Sequence, residues 1–132
     1  MTTFADTSAL YAVLDADDGS HQQAGLFWTG SVLAGAEMIT TNYVIVETQA
    51  LLQRRIGVAA ARAFASDMMP IVQIHWVDEE LHAAALTALL IANRRELSLV
   101  DCVSFELMRR LGIRQAFAFD RDFTEQGFDC IP

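Results

Sequence analysis

The sequence predicts one α/β domain, residues 1–132, built on a largely parallel sheet. Three observations carry that expectation. Short strand-like stretches alternate with longer helical ones, the order that gives a parallel sheet flanked by helices. The length of 132 residues fits a single domain able to bury a sizeable core. Hydrophobic residues make up 53% of the chain, with only 2 Pro and 7 Gly, which excludes a disordered or disulfide-built protein and predicts short loops.

Thr2 to Ala5 is a short strand, and Thr7 to Leu14 reads as helical. The polar run Asp15-Ala16-Asp17-Asp18-Gly19 breaks the chain before a second helix from Ser20 to about Gly35. Glu37 to Thr41 is a strand around Met38 and Ile39. Asn42 then starts a helix to Arg55, with Gly57 in a stop position. Another helix covers Ala59 to Met68, Pro70 breaks it, and Ile71 to Val77 reads as a β-branched strand. Asp78-Glu79-Glu80 opens a helix closing at Arg94-Arg95, acids at its start and bases at its end complementing the macrodipole. Ser98 starts a helix through Arg110, with Gly112 after it. Gln115 to Phe119 is a strand, Asp120 begins a turn or short helix, and Phe128 to Ile131 is a last edge strand, giving four to five strands in all.

The formal net charge is −8, and all 9 basic residues are Arg. Such a chain repels a nucleic-acid backbone, which argues against a protein that coats DNA or RNA. It attracts cations, and a bound divalent ion would let it approach phosphate. Cys102 and Cys130 form no CxxC or CxxH unit, so a zinc site is not expected and both thiols read as free. The N-terminus has no signal-peptide pattern, and the longest nearly apolar run, Ala83 to Ala92, is too short for a membrane span. A cytoplasmic protein with no membrane contact is the expectation.

Four acids stand in unusual places. Asp6 directly follows the first strand, at the sheet edge where ligands bind in open α/β folds, although taken alone it also reads as a helix N-cap. Glu47 has Tyr43, Val44, Ala50 and Leu51 as its helical neighbours, which puts its carboxylate in the inward stripe. There it must meet a cation, a donor or a proton, and a buried Glu–Arg pair is one solution. Asp101 stands three residues after Ser98, at capping-box spacing; a metal-bound oxygen is not free to accept from the cap amide, so the two roles coexist only in part. Asp120 ends another strand, with turn chemistry as its bland explanation; Asp122 by itself reads as a solvated turn residue.

Taken together these positions weaken the bland explanations, because a parallel sheet collects them at one edge. Carboxylates so gathered repel unless protonated or metallated. Hard oxygen donors suit Mg²⁺ or Mn²⁺. One such ion, or two at ~3.5–4 Å, serves phosphodiester hydrolysis.

Four segments resemble the acidic motifs of the PIN-domain ribonucleases, especially the VapC-like toxins of bacterial toxin–antitoxin pairs. They are Phe4-Ala5-Asp6-Thr7-Ser8-Ala9-Leu10, Thr41 through Glu47, Leu97-Ser98-Leu99-Val100-Asp101, and Phe117-Ala118-Phe119-Asp120-Arg121-Asp122-Phe123. The match covers nearly the whole chain in order and spacing. It implies a three-layer α/β/α domain with a central parallel sheet and a Mg²⁺- or Mn²⁺-dependent endoribonuclease. The resemblance maps metal and catalytic roles onto Asp6, Glu47, Asp101 and Asp120. Asp122 is a secondary site residue, and Thr7 or Ser8 positions water or substrate. It also implies a homodimer and a small antitoxin whose tail covers the site. One departure is Ala118, where the family often has Thr or Ser; a supporting hydrogen bond is then missing.

Among the arginines, Arg121 beside Asp120 is the candidate RNA contact, while Arg54-Arg55, Arg94-Arg95 and Arg109-Arg110 read as helix-end charge. His21, His75 and His82 match no ligand spacing, and Phe27, Trp28, Trp76 and Met68-Met69 read as core or dimer surface. Two other readings stay open. The same acids would serve a metal-dependent phosphatase or DNA nuclease, although Thr-Ser after the first acid, with no second Asp two residues on, argues against a haloacid-dehalogenase-type phosphatase. A PIN-like module that binds RNA or protein without cutting is the other.

Overall fold

In the computed structural model, which describes residues 1–132, the strands are β1 (Thr2–Ala5), β2 (Glu37–Thr41), β3 (Gln73–His75), β4 (Gln115–Phe117) and β5 (Asp129–Ile131). They form one sheet in the order β3-β2-β1-β4-β5, and every pairing is parallel. β1 is central, and Phe4 pairs in register with Ile39 on one side and Ala116 on the other. The chain moves outward from β1 through β2 to β3, then returns to the opposite side of β1. The reversal falls between β1 and β4, and ligand crevices of open α/β sheets form at the carboxyl ends of such a strand pair.

Helices α1 (Thr7–Leu14), α2 (His21–Leu33), α3 (Asn42–Arg55) and α4 (Val58–Ala63) belong to the crossovers on one side of β1. Helices α5 (Glu79–Ala92) and α6 (Leu99–Leu111) belong to the return, and α7 (Arg121–Glu125) to the crossover from β4 to β5. Right-handed crossovers put these two groups on opposite faces, giving three layers. The aromatic contacts agree. Phe27 of α2 packs on Phe117 at 4.7 Å between ring centroids, whereas Phe4 meets Phe123 of α7 at 6.4 Å and Phe123 meets Phe105 of α6 at 4.9 Å. Phe4, Phe117, Phe123, Leu10 and Met108 are wholly buried, so the sheet is covered on both sides.

Local capping fixes most helix starts. Asp6, Thr41, Asp78, Ser98 and Asp120 each stand in extended backbone and accept a backbone N–H of the first turn. α6 ends at Gly112, whose φ of 68° is the left-handed conformation that a helix stop requires.

The elements differ from the sequence expectation in four places. The helix expected over Ala59–Met68 is α4 followed by a π-helical turn, Phe64–Met68. The strand expected over Ile71–Val77 shrinks to Gln73–His75. Met69–Ile71 forms a 3₁₀ turn at one end, and at the other the Val77 N–H leaves the sheet to donate to Asn42 Oδ1 at 2.7 Å. β4 stops at Phe117 because the Phe119 N–H donates to Ser8 Oγ at 2.9 Å. Lastly, α5 ends at Ala92 with Asn93 left-handed at φ 52°, so Arg94 and Arg95 lie beyond the helix and do not complete its last turn. No helix is long and apolar enough to cross a membrane.

Candidate active site

Asp6 follows β1, and its N–H extends the pairing with β4 by donating to the Phe117 carbonyl at 3.0 Å. Its carboxylate is buried and accepts from Ser8 through one oxygen only. Oδ2 takes the Ser8 N–H at 3.0 Å and the Ser8 hydroxyl at 2.6 Å. The same Ser8 Oγ accepts the Phe119 N–H, so one hydroxyl ties the end of β1 to the end of β4. That bond supports the strand end beside Ala118, a position without a hydroxyl of its own. Thr7 points elsewhere. It is buried, donating to the Val44 carbonyl at 3.4 Å and accepting from Thr48 at 3.1 Å, which locks α1 onto α3.

Asp101 completes a capping box at the start of α6. Its Oδ2 accepts the Ser98 N–H at 3.2 Å, while the Ser98 hydroxyl accepts the Asp101 N–H at 3.0 Å. The cap therefore takes part of this side chain and leaves part of it, as the partial coexistence expected from the sequence requires. A carboxylate has two oxygens, the cap occupies one, and the other receives no protein donor. Asp120 repeats the pattern at α7, where Oδ1 accepts the Asp122 N–H at 2.9 Å. In Asp122 the same oxygen accepts from Arg94 Nη2 at 3.1 Å. Asp6, Asp101, Asp120 and Asp122 thus each keep one oxygen free of protein donors. No buried polar atom lacks a partner, so the free oxygens reach solvent.

Asp101, Asp120 and Asp122 bring one carboxylate oxygen each within 4.8 Å of one another. Asp122 is therefore a member of the cluster and not a solvated turn residue; its side chain is only 15% exposed. Asp6 joins through its field. Burial pushes its pKa up to about 7, the Ser8 hydrogen bonds oppose that, and the charges of Asp101 and Asp120 add to it. Burial likewise pushes Asp101 up to about 6, against the bonds from Ser98 and with the charges of Asp120 and Glu47 adding. Glu47 thus lies within electrostatic reach of Asp101. It is half-buried, at the margin of the inward stripe that Val44, Thr48 and Leu52 form, and no ion pair reaches it. The buried Glu–Arg pair considered from the sequence is absent.

Arg94 was not legible as a site residue. Its place after two apolar turns of α5 reads as helix-end charge, and Asn93 in the stop position is the one signal that it lies beyond the helix. Arg121 is exposed and unpaired next to Asp120. The histidines stand apart: His21 Nδ1 contacts the Ala12 carbonyl and His82 Nδ1 the Tyr43 hydroxyl. Both cysteines are free, and neither joins the cluster. The donor set is oxygen only, which suits a hard divalent cation and not zinc.

A family model described as PIN domain matches residues 3–129. The chain is 38% identical over 126 residues to the 23S rRNA-specific endonuclease VapC20 of Mycobacterium tuberculosis strains CDC 1551 / Oshkosh and H37Rv, an alignment spanning 95% of this chain and 94% of the relative. A crystal structure of Mycobacterium tuberculosis VapC20, a sarcin-ricin loop cleaving toxin, superposes with a TM-score of 0.85 at 37% identity, covering 97% of this chain and 96% of that one.

Proposed function

Because the chain belongs to the PIN-domain family, we propose that it is a divalent-metal-dependent endoribonuclease acting as the toxin of a toxin–antitoxin pair. One observation carries the reading: at the carboxyl edge of a parallel sheet, four aspartates each leave one oxygen unused by the protein. Asp6, Glu47, Asp101 and Asp120 would hold Mg²⁺ or Mn²⁺, with Asp122 beside them. Such an ion, when bound, supplies Lewis acidity that makes water nucleophilic near neutral pH and offsets charge on a phosphodiester.

The chain's own residues prepare that chemistry. Ser8 orients Asp6, and the capping bonds at α6 and α7 orient Asp101 and Asp120, so the ligating oxygens are fixed before the ion arrives. With pKa values raised to about 7 and about 6, Asp6 and Asp101 retain protons at mildly acidic pH, and metal binding there would release them. Arg121 is free to contact a phosphate flanking the cut.

The likeness to a ribosomal RNA endonuclease supports structured ribosomal RNA as the substrate. A chain of net charge −8 supports an antitoxin tail that puts Arg or Lys into the acidic cleft. Survival of the complex after every basic residue of that tail is neutralised would count against this. Homodimerisation is part of the same reading, and a monomer in equilibrium sedimentation would remove it.

The deciding experiment is cleavage of pooled cellular RNA and intact ribosomes with Mg²⁺ or Mn²⁺, comparing wild type with Asp6→Ala and Asp101→Ala. Discrete cuts abolished by EDTA and by either substitution are expected. Cutting that persists in both variants would remove the site assignment. No cutting by folded protein on either substrate would favour a binding module.

A further inference from the structure

Arg94 is the one cation paired with a carboxylate of the cluster; the other ion-paired arginine, Arg110, binds Glu80 and Glu106. The Arg94 guanidinium gathers three acids, Asp122 at 3.1 Å, Glu96 at 3.4 Å and Glu125 at 3.8 Å. Asp122 is the least exposed of the three and the only one in the cluster. The turn that presents Arg94 is itself fixed. Asn93 closes α5 in a left-handed conformation, the Leu97 N–H donates to the Arg94 carbonyl at 3.3 Å, and the Leu97 side chain is buried. Ser98 and Asp101 follow at once. A single connection between α5 and α6 therefore delivers a cluster carboxylate and a cation for the carboxylate opposite.

The geometry points to Arg94 as a positioning residue that acts through Asp122. By binding Oδ1 it fixes the orientation of the Asp122 carboxylate beside Asp101 and Asp120, and its charge offsets the repulsion that would otherwise drive α7 away from α6. The cluster is then assembled before a metal ion arrives. Arg94 itself reaches the ion only through Asp122. This inference rests on the metal-centre reading given above.

The test is Mn²⁺ binding, measured by titration calorimetry on wild type, Arg94→Gln, Asp122→Asn and the double variant, with far-UV circular dichroism to verify folding. Arg94→Gln is expected to weaken Mn²⁺ binding about tenfold, the usual scale for losing a residue that orients a ligand. In the Asp122→Asn background the same change is expected to have almost no effect, because its route to the ion is gone. Arg94→Lys, which keeps the charge, is expected to bind more tightly than Arg94→Gln. Unchanged affinity in Arg94→Gln overturns the inference, as does an undiminished effect in the double variant or equal affinities in the Lys and Gln variants. Wild type that binds no Mn²⁺ removes the metal-centre reading and this inference with it, whereas wild type that binds while Arg94→Gln matches it removes this inference alone.

Discussion

The Ser8 hydroxyl donates to Asp6 Oδ2 at 2.6 Å while accepting the Phe119 N–H at 2.9 Å. This side chain therefore holds the most strongly perturbed acid of the protein and also terminates β4. Ser8→Ala removes both bonds and leaves the Phe119 N–H without its acceptor. A loss of about 1–3 kcal/mol in unfolding free energy is expected from denaturant titration. The Ser8 hydroxyl bond lowers the Asp6 pKa, so its loss raises it further even though the backbone N–H bond remains, and the pH at which Mn²⁺ binding is half-maximal moves up. An unmoved binding profile would show that Ser8 does not tune Asp6.

Stability of the metal-free protein should fall as pH rises from about 5 to about 7. Asp6 has an ordinary value of 3.8 and a folded value of about 7, so between them the native state binds the proton that the unfolded state has lost. The unfolding free energy then decreases with pH, by on the order of a few kcal/mol in the limit of full burial. Asp101, raised to about 6, contributes in the same direction over the lower part of that range. Denaturation in EDTA at several pH values should give a shallower decline for Asp6→Asn than for wild type. Identical slopes would contradict the perturbed Asp6.

Cap and ligand roles of Asp101 are separable by substitution. Asp101→Asn keeps an acceptor for the Ser98 N–H but removes the charge, so the fold is expected to hold while RNA cleavage drops at least a hundredfold. Ser98→Ala does the reverse, costing about 1 kcal/mol of stability through the lost cap and leaving most of the activity. Equal activity losses in the two variants would mean that Asp101 acts only by holding α6.

Glu47 receives no hydrogen bond or ion pair, so Glu47→Gln should change stability by no more than about 0.5 kcal/mol. Removing its charge lowers the Asp101 pKa, which has Glu47 among its causes. Cleavage should nonetheless fall tenfold or more at fixed Mn²⁺ and recover in part as Mn²⁺ is raised. Full activity at every Mn²⁺ concentration would take Glu47 out of the site.

Much of this protein was legible before any fold was known. The starts of α1, α3, α5, α6 and α7 follow from Asp6, Thr41, Asp78, Ser98 and Asp120, because a cap acts within one turn of its own chain. Asp6, Asp101 and Asp120 stood out as acids at strand and helix ends for the same reason, and Glu47 by its place on the inward stripe of α3. What the sequence hid was long-range. β3 is short because a side chain of α3, Asn42, takes the Val77 N–H. Asp122 looked solvated and Arg94 looked like helix-end charge, yet they meet across 28 positions of chain.

By itself, then, the sequence determined the alternation of strands and helices and the caps, set by interactions between near neighbours, and it nominated the acids to examine. Only the tertiary structure decided that β4 returns to the side of β1 opposite β2, which brings the starts of α1, α6 and α7 to one edge. That choice settles which carboxylates share a field and which cation offsets them, because charge interactions depend on distance through space and the folded sheet, not the order of residues, sets that distance.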